Sequence, residues 1–189
     1  MPDSYSMVSV PKQGSNPGMP RGKKNIVILF DFDKVKTYTR DDKSVKITAF
    51  EMMQSAKPIG IFVDQNSIDC GDETEGDAYA RGFLPHVNFD HPGTELEIAE
   101  FKANNVNGNL GAIVIPCDSA DPNVKVYGTP CAPLVMQAAN EQDTNEAHNN
   151  HFELKAEMRG YPVGIMAKTL VPPTDNDEIN TFLGLTAGV

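Results

Sequence analysis

The sequence predicts a mainly β fold, a β-sandwich or rolled sheet, with one flanking α-helix around residues 94–107 and a short C-terminal helix. Three observations predict it. Period-two alternation recurs at 34–39, 45–48 and 151–158, the mark of strands with one wet face. Turn formers are abundant, with 14 Pro and 15 Gly among 189 residues, which punctuates the chain into short strands. Only residues 94–107 carry helix signals at both ends.

The length fits one domain with extensions. Residues 1–24 read as an extended N-terminal arm, because Pro2, Pro11, Pro17, Pro20, Gly14, Gly18 and Gly22 interrupt regular structure. Arg21, Lys23 and Lys24 make the arm basic at its end. Such an arm is either an unordered terminus or a segment that orders on a neighbouring subunit. Residues 25–189 read as a single β-rich domain.

That domain opens with an apolar strand at 25–32, and a long β-hairpin is expected at about 30–48. Residues 49–56 are expected to form one or two helical turns, ended by Lys57-Pro58. A second apolar strand follows at 59–63. Residues 64–80 read as a long acidic loop with one apolar island at Ile68.

The stretch 82–116 reads as strand, turn, helix and buried strand. Phe83, Val87 and Phe89 are its inward candidates on the first strand. Thr94 and Glu97 have capping-box spacing, Ile98 and Phe101 share a face, and Gly108 after Asn107 is a stop that favours the left-handed conformation. The alternation of residues 95–98 leaves open a strand that runs on to 98. Leu110 begins the buried strand.

Short strands are expected at 124–127 and 134–138, around a rigid turn at 128–133. Residues 139–150 read as loop. Residues 151–158 then alternate, with Phe152, Leu154, Ala156 and Met158 inward. Thr174 is placed to cap a last helix with Ile179, Phe182 and Leu183 on its apolar side.

Net charge is -10, with a sequence pI near 4.7. A surface this acidic argues against a general grip on nucleic acid, which needs basic patches. Plain solubility is the simple account of the charge. No apolar run approaches the ~18–20 residues of a membrane-spanning helix, and the N-terminal residues lack the apolar core of a signal peptide. Synthesis in the cytoplasm and reduced cysteines are the expectation.

Chemical motifs are few. An apolar strand ending in Asp31-x-Asp33-x-Val35 resembles the first motif of haloacid-dehalogenase-type phosphotransferases, in which Asp31 would be the nucleophile and Asp33 the acid/base, with Mg²⁺. That motif needs βαβ units, and the residues after the strand read as a hairpin instead. Cys70, Cys117, Cys131, His148 and His151 lack the spacing of a zinc site, and Cys117 and Cys131 are expected to pack as small hydrophobes. The carboxylates of the acidic loop lack the calcium-loop pattern and read as solvated. No nucleotide or cofactor motif appears, so no catalytic, cofactor or metal residue is assigned.

Phe89-Asp90-His91-Pro92-Gly93, the segment ending Phe101-Lys102-Ala103-Asn104-Asn105, the turn from Gly128 to Leu134 and the alternation of 152–158 occur in an order that resembles the major tail (tail-tube) proteins of long-tailed bacteriophages. The likeness spans about residues 24–185. It implies a non-enzymatic virion structural protein, with six subunits to a ring and rings stacked into a tube. It also implies other virion proteins as partners, an acidic lumen through which DNA passes without specific binding, and no membrane contact. By the same resemblance, the arm, the hairpin and the acidic loop would carry inter-subunit contacts through Arg21, Lys23, Lys24, Lys36, Tyr38, Arg40, Asp72, Glu73, Glu75 and Asp77. The helix residues Thr94, Glu97, Ile98, Phe101 and Gly108 would be scaffold. A capsid-decorating or adhesin-like β-sandwich binding module is the alternative, with the phosphatase through Asp31 and Asp33 as a minor one.

Overall fold

The computed structural model describes residues 9–11 and 22–185. The predicted arm, Arg21 included, therefore lies mostly outside the described residues. The fold is mainly β, with 11 strands in one mixed sheet and two short helices among the described residues.

Three strands form the buried centre. β1 (Lys23–Asp31) pairs antiparallel with β4 (Ile59–Phe62) on one side and β7 (Leu110–Pro116) on the other. β7 also pairs with β8 (Asn123–Tyr127). β1 and β7 are continuous apolar runs because both their faces are covered. Val27, Leu29, Ala112 and Val114 enter one core, whereas Ile28, Phe30, Ile113 and Ile115 enter the other. Alternation places successive side chains on opposite faces, so one strand feeds both.

The first core is covered by β9 (Leu134–Asp143), β10 (His148–Ala156) and β6 (Gly82–Pro92), joined edge to edge in that order, with helix α1 (Leu96–Asn105) packed against them. Phe152 stacks on Phe89 at 5.2 Å and takes the edge of Phe101 at 5.8 Å. β5 (Asp69–Glu75) ends the sheet on β6. The second core is covered by β2 (Val35–Arg40), β3 (Lys46–Met52), β11 (Gly164–Ala167) and helix α2 (Asp177–Phe182). The main path runs β2-β3-β11-β8-β7-β9-β10-β6-β5, and β1 with β4 branches from it at β7. The sheet rolls until β6 comes back to β4, where the Asp64 amide donates to Asp90 O at 2.9 Å.

Several local expectations are corrected. Residues 49–52 extend strand β3, because Ile47 and Phe50 both point into the second core. The long hairpin is shifted from 30–48 to 35–52: a 3-10 turn at Phe32–Lys34 separates β1 from β2, and β2 pairs with β3 from Val35↔Met52 inward. The acidic stretch is not all loop. β5 pairs residue for residue with β6, from Asp69↔Asn88 to Glu75↔Gly82. Its side chains are mostly wet, so it shows no apolar period. The 139–150 stretch likewise belongs to the β9–β10 hairpin, whose turn spans 144–147.

The helix begins at Leu96 and has no capping box. Glu95 holds the cap position without a side-chain cap bond and turns its carboxylate toward His91, at 3.7 Å. The left-handed residue there is Gly93 (φ 122), whereas Gly108 is not in that region. Gly108 instead donates its amide to Asn105 O at 2.9 Å. Ile98 and Phe101 are buried as predicted. Phe83 is half-buried while Leu84 joins the core, and Met158 is exposed because β10 ends at Ala156. Cys117 and Cys131 are exposed rather than packed. Asn176, not Thr174, caps α2; Thr174 is buried against Asn180.

Candidate assembly interface

A strand with one neighbour in a sheet presents a row of unpaired backbone donors and acceptors on its free side. Among the described residues three strands have a single ladder neighbour: β4, which pairs only with β1 and whose other side is met by β6 at the Asp64–Asp90 bond, and β2 and β5, which stand free at the two ends of the strand order. The predicted contact residues Lys36, Tyr38 and Arg40 lie on β2, and Asp72, Glu73 and Glu75 lie on β5.

β2 is held firmly from within. Arg40 is its hub. Its Nη1 donates to Ser44 O at 2.8 Å and to Pro162 O at 2.9 Å, and its Nε donates to Tyr38 Oη at 3.1 Å. Burial raises the Tyr38 phenol pKa above its usual value, against the opposing pull of Arg40. Lys36 Nζ pairs with Glu51 at 3.0 Å, and that hydrogen bond holds Glu51 below the usual carboxylate range. At the turn, Asp41 Oδ1 accepts the amides of Val45 and Lys46, which lower its pKa. Residues 34–43 carry Lys34, Lys36, Arg40 and Lys43 against Asp41 and Asp42.

β5 has the opposite charge. Residues 69–77 carry Asp69, Asp72, Glu73, Glu75 and Asp77 and no cation. Lys155 on β10 reaches Glu73 at 3.1 Å, and this hydrogen bond lowers the Glu73 pKa. Asp72 Oδ2 accepts the Val163 amide at 3.0 Å. Cys70 points inward, where Tyr127 Oη donates to its sulfur at 3.1 Å. Burial, first, and then Cys70 push the Tyr127 phenol up. Glu75, Gly76 and Asp77 line a shallow surface hollow with Glu157 and Arg159, and Arg159 also donates to Ala80 O at 2.8 Å.

The remaining predicted contacts are not on these edges. β1 starts at Lys23, inside the stretch read as arm. Lys23 Nζ donates to Ile68 O at 2.7 Å, and Lys24 Nζ lies 4.2 Å over the Phe182 ring. Both cations are therefore engaged within the chain. Thr94 precedes α1, Glu97 stands in its first turn and Gly108 follows its end, whereas Ile98 and Phe101 anchor α1 to the first core.

Asp31 and Asp33 stand in a 3-10 turn. Asp31 Oδ1 accepts the Asp33 amide at 2.9 Å, and Asp33 accepts Asn109 Nδ2 at 3.2 Å. The neighbours of β1 are antiparallel and the chain goes on into a strand, so the parallel βαβ setting of the phosphotransferase motif is replaced by a hairpin. Among the described residues no group of three or more His, Cys, Asp or Glu is arranged to hold a metal ion, and no helix is long and apolar enough to cross a membrane.

What sequence reasoning missed is that the two charged segments are the terminal strands of one sheet. The charge runs were legible, but their strand character was not. No family model matches the chain, and comparison with curated proteins and with solved structures finds no match.

Proposed function

We propose that this protein is a non-enzymatic structural subunit that assembles head to tail into rings, as a tail-tube protein of a phage virion. The observation that carries the reading is the pair of free sheet edges, β2 with a cationic surround and β5 with a carboxylate-rich one. A soluble monomer has reason to cover or blunt its edges. Two complementary edges at opposite ends of a sheet instead permit a heterologous contact, in which β5 of one copy adds to β2 of the next. If the rotation closes, the product is a ring.

Two further features support the reading. A net charge of -10 keeps subunits soluble and repels phosphate, which would let DNA slide through a lumen without being trapped. The sequence also resembles the tail-tube family in the order of its segments. Rings would then stack with other virion proteins.

Light scattering and negative-stain electron microscopy of the purified protein test the proposal. Rings, or tubes of stacked rings, are the expected species, and their population should fall as salt screens the edges. A strict monomer at all concentrations and ionic strengths would overturn it and favour the binding-module alternative.

A further inference from the structure

The seam where the sheet rolls back on itself carries a second device, independent of the edges. Asp90 sits at its centre. Its carbonyl accepts the Asp64 amide at 2.9 Å, and its own amide donates to Ser67 Oγ at 2.8 Å. Ser67 Oγ in turn donates to Asp64 O at 2.8 Å. One residue on, His91 Nδ1 donates to Phe62 O at 2.8 Å. These bonds tie β6 to β4 and to the loop that leads into β5.

The Asp90 side chain is held from the other side by His151, its cross-strand neighbour on β10. His151 Nδ1 meets Asp90 Oδ1 at 2.5 Å, and its Nε2 meets Glu153 Oε1 at 3.2 Å. Both ring nitrogens thus face carboxylate oxygens. An ionised carboxylate only accepts, so only the imidazolium, with two N–H donors, satisfies both contacts. The neutral ring must turn a lone pair on one of them. From β9 the residue opposite His151 is the uncharged Asn140. The charged groups facing the ring are therefore Asp90 from β6 and Glu153 from its own strand; Lys155, further along β10, is engaged by Glu73.

We propose that His151 is a proton-operated latch on the β4–β6 seam: the imidazolium clamps Asp90 and holds the roll closed, and loss of its proton loosens the seam. The direction of titration agrees. The hydrogen bond to Asp90 is the main cause that raises the His151 pKa above the usual 6.5. A group whose folded pKa is raised contributes stability in full below the unfolded value. That contribution is lost as pH rises through the folded value. The seam is therefore tightest in mild acid and loosens above neutrality.

Amide hydrogen exchange by NMR on the full chain tests this, with rates corrected for the intrinsic base-catalysed change between pH 5.5 and 8.5. The Asp64 and Asp90 amides should lose about threefold in protection over that range, a modest change of the size an exposed ion pair contributes, since the His151 side chain is 43% exposed. His151→Gln should lower their protection and make it independent of pH. His151→Lys, which keeps a cation beside Asp90, should keep protection high at pH 8.5. The amides of Val27 and Ile113 in the central strands serve as reference and should not move. The proposal is overturned if wild-type seam protection is flat with pH, if His151→Gln retains the wild-type dependence, or if the reference amides loosen in parallel, which would make the effect global.

Discussion

Asn150 shows how one side chain can set the position of a helix. It is fully buried, although it lies in the polar outer half of the β9–β10 hairpin. Its Nδ2 donates to Gly93 O at 2.7 Å, and its Oδ1 accepts Lys102 Nζ at 2.6 Å. Lys102 also pairs with Glu141 at 2.6 Å. The turn before α1, the helix itself and β9 therefore meet at one amide. Asn150→Ala would leave a buried carbonyl without its donor and remove one partner of the ammonium, a cost of about 2–3 kcal/mol. Asn150→Asp keeps an acceptor for Lys102 but sets a buried carboxylate oxygen against the Gly93 carbonyl, so it should destabilise as well. Urea midpoints with unchanged slope would report both. A loss below ~0.5 kcal/mol for Asn150→Ala, the size typical of surface changes, would show that the amide does not hold the helix.

At the scale of the element, the β2–β3 hairpin depends on the planar fork of Arg40. Three partners, Ser44 O, Pro162 O and Tyr38 Oη, lie around one guanidinium. A lysine ammonium is a single point and cannot reach all three. Arg40→Lys should cost about 1 kcal/mol, by the usual worth of a hydrogen bond. It should also speed proteolysis at Lys43 in the turn, because the hairpin loses its tie to residue 162. Unchanged cleavage kinetics would contradict this.

The same scale shows what the sequence could and could not disclose. Strands β1 and β7 were legible because burial on both faces leaves continuous apolar runs. Ile98 and Phe101 were legible because a helix on a core repeats every three to four residues. β5 and the outer parts of β9 and β10 were not, since strands with wet side chains lose the alternation that marks a strand. Their regularity resides in backbone pairing, which leaves little trace in composition. The absent capping box has a different cause. Gly93, not Gly108, takes the left-handed turn, and Glu95 spends its carboxylate on His91. The candidate edges were half legible: their charges are in the sequence, but their place at the two ends of one sheet follows only from the topology.

For the whole molecule, the head-to-tail proposal makes a demand that simple stickiness does not. In a heterologous contact the β2 edge of each copy meets only the β5 edge of the next. Lys34→Glu with Lys36→Glu turns the first edge acidic, so that copies of this variant present like charges to one another. Glu73→Lys with Glu75→Lys and Asp77→Lys sets three cations against Asp69 and Asp72 and turns the second edge basic, and that variant repels itself too. Like charges placed opposite each other across a strand pair are destabilising, and built-in repulsion is how partners are excluded. Each variant alone should therefore remain monomeric while unfolding at close to the wild-type midpoint, since these charges are exposed and surface pairs contribute little. Mixed in equal amounts, they should assemble again, because every contact then pairs an acidic edge with a basic one. The mixture has to alternate, so only rings with an even number of subunits close. Native mass spectrometry of the mixture should find equal numbers of the two variants in every ring. An isologous contact, β2 on β2 or β5 on β5, predicts a different result. There, the variant whose contact edge is unaltered would still self-associate through it, and mixing would add nothing. Assembly of either variant alone would therefore refute the head-to-tail arrangement even if the wild-type protein forms rings.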